Sequence, residues 1–386
     1  MIIKRLKVKN WKNFKTIDVG LMERQFIVGP NASGKSNLLD IFRFLRDVAK
    51  TEGGGLQKAL KDRGGVSKVR SFAARRDPEI SIEIELAESV KQPTVWRYSL
   101  GIKQKQRGER LPYVSHEQVF YKGENVLTRP NSSDKDDENQ LTQTHLEQIS
   151  SNAKFRPIAL FLQSIAYSHL VPQLLRYADK IQGRIIEDDP FGQGFLERIS
   201  RTTVKKRELR LNKIEEALKI AVPQLQRLQF TKDEKSGMPH LQAMYQHWRP
   251  NAGFQLEDQF SDGTLRLIGL LWSLLDGESP LLLEEPELSL NSGIVMQLAP
   301  LIHRAQRQKK RQVIISTHSE ALLSDEGIDG REVLMLIPEA EETKVLNAYD
   351  DEEIRGLLAQ GFRISDVILP KIKPRKVDSV SQISLF

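Results

Sequence analysis

Residues 29–36 read Gly29-Pro30-Asn31-Ala32-Ser33-Gly34-Lys35-Ser36 and fit the pattern G-x-x-x-x-G-K-[ST]. A loop of this kind aims successive backbone N–H groups and a helix N-terminus at one point, where a polyphosphate is stabilised. Gly29 and Gly34 permit close approach and unusual dihedrals, Lys35 reaches the β- and γ-phosphates, and the Ser36 hydroxyl ligates Mg²⁺, with Asn37 next along the helix start. Three later groups carry the rest of the chemistry. Glu284-Glu285-Pro286-Glu287 closes the apolar run Leu281-Leu282-Leu283, His318 closes the β-branched run 312–317, and Ser261-Asp262-Gly263-Thr264 opens a long apolar stretch. Phosphoryl transfer from ATP needs a cradle, a metal, a positioned water and neutralising charge at the γ-phosphate. Ser36 and Glu284 would hold Mg²⁺, the latter directly or through water, Glu285 would orient or deprotonate the attacking water, and His318 would contact that water and the γ-phosphate. Taken singly, each has a plainer reading: a chance loop match, a structural acid pair, a packed histidine, a serine helix cap. Their order behind hydrophobic strands favours a nucleotide site.

The elements around these residues must place them together. Arg24–Val28 reads as a buried strand, and a helical pattern starts at Lys35, with Leu38, Phe42, Leu45 and Ala49 on one face. An apolar helix should follow Ser261 to about Leu275. Strands at 281–284 and 312–317, alternating with helices, predict a largely parallel sheet whose carboxyl ends gather the loop, Glu284, Glu285 and His318. Upstream, Leu6 and Val8 alternate with Arg5, Lys7 and Lys9, predicting an edge strand. Trp11 and Phe14 could border an adenine but suit core packing better. Ile80, Ile82, Ile84 and Leu86, then Trp96 to Ile102, then 114–121, alternate as an antiparallel sheet with one wet face does. Residues 130–144 are polar, acidic and without period, which predicts a disordered loop. Asp134 and Asp136 there have no preceding strand to hold them for a metal. Helices are expected over 155–223, with Leu211, Ile214, Leu218 and Ala221 buried, then a hairpin over 225–231 and 240–248. Two more strands, a helix near 351–359 and a basic end complete the pattern.

The 386 residues include no cysteine, which excludes disulfides and thiolate zinc sites and suits a reducing cytoplasm. The opening MIIKRLKVKN lacks the apolar core of a signal peptide, and the longest nearly apolar run, Leu267–Leu275, is far below the roughly 18 residues that span a bilayer. A soluble protein with no membrane partner is expected. A formal net charge of +7 leaves contact with DNA and a merely solubilising surface both open.

Taken in order, the loop at Gly29–Ser36, Phe260–Thr264, Leu281–Glu285 and His318 resemble the Walker A, signature, Walker B and switch histidine of ABC-type ATPases, specifically the SMC/RecF-like branch. Ser261-Asp262-Gly263-Thr264-Leu265-Arg266 with Glu284-Glu285-Pro286-Glu287 is most similar to bacterial AAA-family ATPases related to OLD proteins. The resemblance implies an α/β P-loop NTPase of ABC type: a mixed, mostly parallel sheet, an antiparallel β subdomain and an inserted helical lobe. Residues 1–128 and 276–348 would form the ATP-binding lobe, 129–144 the disordered acidic loop, 145–275 the helical and signature lobe, and 349–386 a tail. It also implies a homodimer or higher homo-oligomer, in which Ser261 and Gly263 complete the ATP site of a second subunit. A separately encoded, nuclease-like effector and a role in antiphage defence belong to the same implication. Alternatives are a RecF-like DNA clamp, carried by the basic stretches 205–213, 307–311 and 371–376, and a scaffold that holds ATP without turnover. Glu284 stands where most such ATPases carry aspartate, and Asn291 replaces a more usual charged or histidine residue. The glutamine loop is not evident, with Gln163, His169 and Gln173 near its place. The 68 residues after His318 are too few for a nuclease domain.

Overall fold

The computed structural model describes residues 1–74, 77–105, 110–177, 189, 191–246 and 253–373. One six-stranded sheet is antiparallel: β1 (Ile2–Trp11), β2 (Phe14–Gly20), β4 (Ile80–Ala87), β5 (Trp96–Gln104), β6 (Pro112–Tyr121) and β7 (Glu124–Arg129), in the order β2-β1-β4-β5-β6-β7. The second contains β3 (Arg24–Val28), β8 (Ala166–Ser168), β12 (Leu281–Glu284), β13 (Val313–Thr317), β14 (Val333–Pro338) and β15 (Thr343–Asn347), ordered β15-β14-β3-β13-β12-β8. All its neighbours are parallel except β14 with β15. A small third sheet joins β9 (Leu225–Lys232), β10 (Pro239–Tyr245) and β11 (Gln255–Leu256). Among the described residues, no helix is long and apolar enough to cross a membrane.

The helix α1 (Lys35–Ala49) lies between the two large sheets, which explains why it is apolar on more than the expected face. Phe42, Phe44, Leu45 and Val48 share one core with Ile82, Ile84, Tyr98 and Leu100 of the antiparallel sheet and with Ile27, Leu282 and Ile314 of the parallel one. The residues between them on the same parallel strands, Phe26, Val28, Leu281, Leu283, Val313 and Ile315, face the opposite core under α5 (Leu298–Lys309) and the helix Ile364–Ile372. Covering both faces is why these strands read as continuous apolar runs. The buried Gln312 amide ties the layers, accepting from Ile3 N (2.9 Å) and donating to the carbonyls of Ile3 (2.8 Å) and Met22 (2.9 Å).

Three sequence expectations change. First, β1 pairs with both β2 and β4 and is therefore interior; its basic residues are instead paired across the wet face, as in Lys7–Glu83 (2.9 Å) and Arg5–Asp18 (2.7 Å). Second, the stretch expected to be a disordered loop is ordered over 129–144. Strand β7 does precede it, and buried Arg129 binds both Glu117 (3.0 Å) and Asp134 (2.6 Å), while Asn131 and Asp134 cap a short helix at Ser132–Asp136. Third, helix α2 (Arg156–Gln163) and β8 lie within the expected helical lobe but pack in the core between the two large sheets, so the lobe's own core starts at Leu170. Strand β8 is three residues long, too short to show a period. Trp11 and Phe14 are fully buried beside Phe44, as packing residues; Trp248 of the hairpin lies outside the described residues.

The Arg129 cluster supports a stability prediction. Arg129→Ala leaves Glu117 and Asp134 buried without their cation, and breaking a buried pair in this way costs about 3–5 kcal/mol. Urea denaturation should show that loss, and an unchanged midpoint would mean that the carboxylates find other partners.

Candidate active site

The end of β3 delivers the glycine-rich loop. Gly34 takes φ 98°, and a Cβ there would fall 2.3 Å from the Asn13 amide nitrogen. Asn13 is the loop's clamp: its Nδ2 donates to Ser33 O (2.9 Å) and Thr343 Oγ1 (2.9 Å), while its Oδ1 accepts from Asn37 Nδ2 (2.7 Å). Helix α1 begins without a side-chain cap and without an acid in its first turn, so its positive end is left for an anion. Asn31 and Ala32 are exposed, with Ala32 at φ 63°, and the buried Ser33 Oγ has no partner. The Lys35 ammonium lies across the loop, 3.0 Å from Gly29 O and 3.3 Å from Pro30 O. Burial pushes its pKa below the usual lysine range, against the charges of Glu285, Glu287 and Glu284.

Strands β3, β13 and β12 are neighbours in register: Val28 lies opposite Thr317, and Glu284 opposite Ser316. The three strand ends therefore open on one place. Ser36 Oγ donates to Glu284 Oε1, and Tyr167 OH donates to Glu284 Oε2. Glu285 takes the left-handed conformation (φ 43°), an arrangement costing on the order of 1 kcal/mol or more that persists where the surroundings impose it. Its Oε1 lies 3.1 Å from His318 Nδ1 and 3.9 Å from Lys35 Nζ. Glu287 sits behind them, accepting from Thr317 Oγ1 (2.6 Å), with its Oε2 buried and unpartnered. Burial raises its pKa above the carboxylate range. The donor set at Ser36 and Glu284 is all hard oxygen, as Mg²⁺ requires. Among the described residues no cluster of three His, Cys, Asp or Glu could hold a metal alone.

The signature residues belong to the other lobe. Ser261 caps α4 (Asp262–Leu275), accepting from Thr264 N at 3.1 Å, and Asp262 is held by Arg176 (2.6 Å) and Gln173 (2.7 Å). A Cβ on Gly263 would meet Ser289 O at 2.7 Å, so glycine is needed for this helix start to rest on the backbone that follows Glu287.

The family described as "AAA domain, putative AbiEii toxin, Type IV TA system" matches residues 26–324, a span containing the glycine-rich loop, Ser261, the three glutamates and His318 but not Asn13 or Thr343. The chain belongs to this AAA domain family. No curated protein matches it. Among solved structures, the crystal structure of the SmcHead bound to the C-winged helix domain of ScpA is similar at 15% identity and a TM-score of 0.51, covering 90% of this chain and 98% of that one. A Smc head with an extended coiled coil, bound to the C-terminal domain of ScpA and derived from Pyrococcus furiosus, has 14% identity and a TM-score of 0.49, covering 92% and 99%. The SMC head domain from Thermotoga maritima has 17% identity and a TM-score of 0.45, covering 90% and 99%. The first likeness shows the fold alone, that of an Smc head.

Within this AAA chain, the three glutamine-loop candidates separate. Gln163 donates to Ala49 O in the core, Gln173 reaches Asp262, and His169, just after β8, lies 3.2 Å from Glu284 O. Only His169 touches the candidate metal carboxylate's residue. The basic stretches are consumed only in part, and Lys205, Lys206, Lys213, Arg307 and Lys310 are exposed. Arg207 stacks on Phe230, Arg210 pairs with Asp276 (2.9 Å), and Lys371 pairs with Asp351 (2.9 Å) and Glu353 (2.7 Å). Buried Arg311 donates to the carbonyls of Ser279, Ser273 and Asp276, which corrects its expected place in a DNA-facing stretch. Residues 374–376 lie outside the described residues. Asn291 caps the short helix Ser292–Val295. Sequence reasoning missed Asn13 and Tyr167, since a lone amide and a tyrosine in a three-residue strand leave no pattern.

Proposed function

We propose that this AAA chain binds Mg²⁺·ATP and hydrolyses it, that two copies close head to tail over two nucleotides, and that this cycle governs a separately encoded, nuclease-like effector in antiphage defence. The convergence of Lys35, Ser36, Glu284, Glu285 and His318 at three adjacent strand ends carries the hydrolysis reading. Gly29 to Asn37 would wrap the phosphates, with Lys35 leaving its loop carbonyls for the β- and γ-oxygens. Ser36 and Glu284 would hold Mg²⁺, which neutralises phosphate charge when bound. Glu285, paired with His318, is the group placed to take a proton from water. A scaffold without turnover has no chemical need of that pair. The toxin–antitoxin wording of the family description supports action with a second gene product.

Lys35→Ala tests the site directly. Removing a buried ammonium from the phosphate cradle while leaving its backbone should abolish tight ATP binding. Titration of the full chain with a fluorescent ATP analogue measures this, and unchanged affinity would overturn the nucleotide site.

A further inference from the structure

Two hydroxyls divide the Glu284 carboxylate between them, Ser36 on Oε1 and Tyr167 on Oε2. Tyr167 stands in β8, whose parallel pairing with β12 sets Tyr167 opposite Leu282 and Ser168 opposite Leu283, beside the carboxylate. Its ring is 8% exposed and lies under the Arg43 guanidinium of α1, 4.3 Å from centroid to Cζ. Three elements therefore fix one side chain. A glutamate side chain turns about one more bond than an aspartate does. Without a brace, its oxygens would spread over several rotamers and lose affinity for a metal that demands tight octahedral geometry.

We propose that Tyr167 is the positioning residue for Glu284, holding the longer carboxylate in the one rotamer that presents Oε1 beside Ser36, and thereby setting the affinity of the site for its divalent cation. The inference rests on the nucleotide-site reading above. A phenol suits this task. It is neutral, so it does not repel the cation as a lysine would, and a hydrogen bond to an ionised acceptor is the stronger kind. A metal ion would take the lone pairs of Oε1 and leave Oε2 with Tyr167. The brace thus lies outside the coordination shell and stays in place while the ion comes and goes.

The test uses Mn²⁺ as the probe, titrated into the full chain with a non-hydrolysable ATP analogue while free Mn²⁺ is read by electron paramagnetic resonance. Tyr167→Phe keeps the ring under Arg43 and removes only the donor. It should weaken Mn²⁺ binding about 10-fold or more, the usual cost of losing an outer-shell partner of a metal ligand. Nucleotide binding in chelator should remain that of the parent. In a Glu284→Ala background the same substitution should have no further effect, because the brace has nothing to hold. Parent-like Mn²⁺ affinity in Tyr167→Phe, or an equal loss when Glu284 is already absent, overturns the proposal. If the parent binds no nucleotide with or without metal, the nucleotide site itself fails and the proposal falls with it.

Discussion

Glu285→Gln should bind ATP as the parent does and turn it over about 10²- to 10⁴-fold more slowly, the usual cost of removing a positioned general base. The amide keeps the shape, so the left-handed turn at 285 and the 3.0 Å bond from Glu285 N to Ser316 O survive. What disappears is the basic carboxylate 3.1 Å from His318 Nδ1, leaving an amide that accepts a hydrogen bond but cannot take a proton from water. Phosphate release under steady state and retention of ATP after gel filtration give the two readouts. Full turnover would move the role to Glu284 or Glu287. Each is already committed, Glu284 to the hydroxyls of Ser36 and Tyr167, Glu287 to Thr317 in a buried site. The stalled variant should also keep its effector bound, if ATP closure is the signal that the effector reads.

How far the sequence could be read follows from how locally each feature is encoded. The loop at 29–36 and the strands ending at Glu284 and Thr317 are continuous segments with their own chemistry, so spacing and apolar runs sufficed. The two-faced burial of Phe26/Ile27 or Leu282/Leu283 likewise announces a covered parallel strand. Features made by residues far apart in the chain gave no local sign. Asn13 reaches Thr343 across 330 positions, and Tyr167 reaches Glu284 across 117. The acidic stretch 129–144 misled for the same reason. Its composition suits a solvated loop, and the buried Arg129 that organises it takes its second carboxylate from Glu117 on another strand. Charge alone also misread Arg311, whose partners are main-chain carbonyls that no composition reveals.

Ser261→Arg should leave ATP binding by one subunit intact yet abolish hydrolysis. Within its own chain Ser261 is a helix cap, held 3.1 Å from Thr264 N, and none of the bonds it makes reaches the glycine-rich loop. A hydroxyl and helix start placed in the other lobe would meet a γ-phosphate across a head-to-tail pair. Arginine there should block closure of that pair. Losing the cap also costs about 1 kcal/mol, so Ser261→Ala serves as the control, since it loses the same cap without adding bulk. If capping were the whole role, both variants would behave alike, with modestly lowered stability and normal turnover. Mixing Ser261→Arg with Lys35→Ala decides the matter. In the heterodimer one composite site carries both defects, while the other joins an intact phosphate loop to an intact signature. Neither variant alone should hydrolyse ATP, and the mixture should recover part of the parent rate. Normal hydrolysis by Ser261→Arg alone, or no recovery on mixing, would sink catalysis in trans and leave Ser261 as a cap.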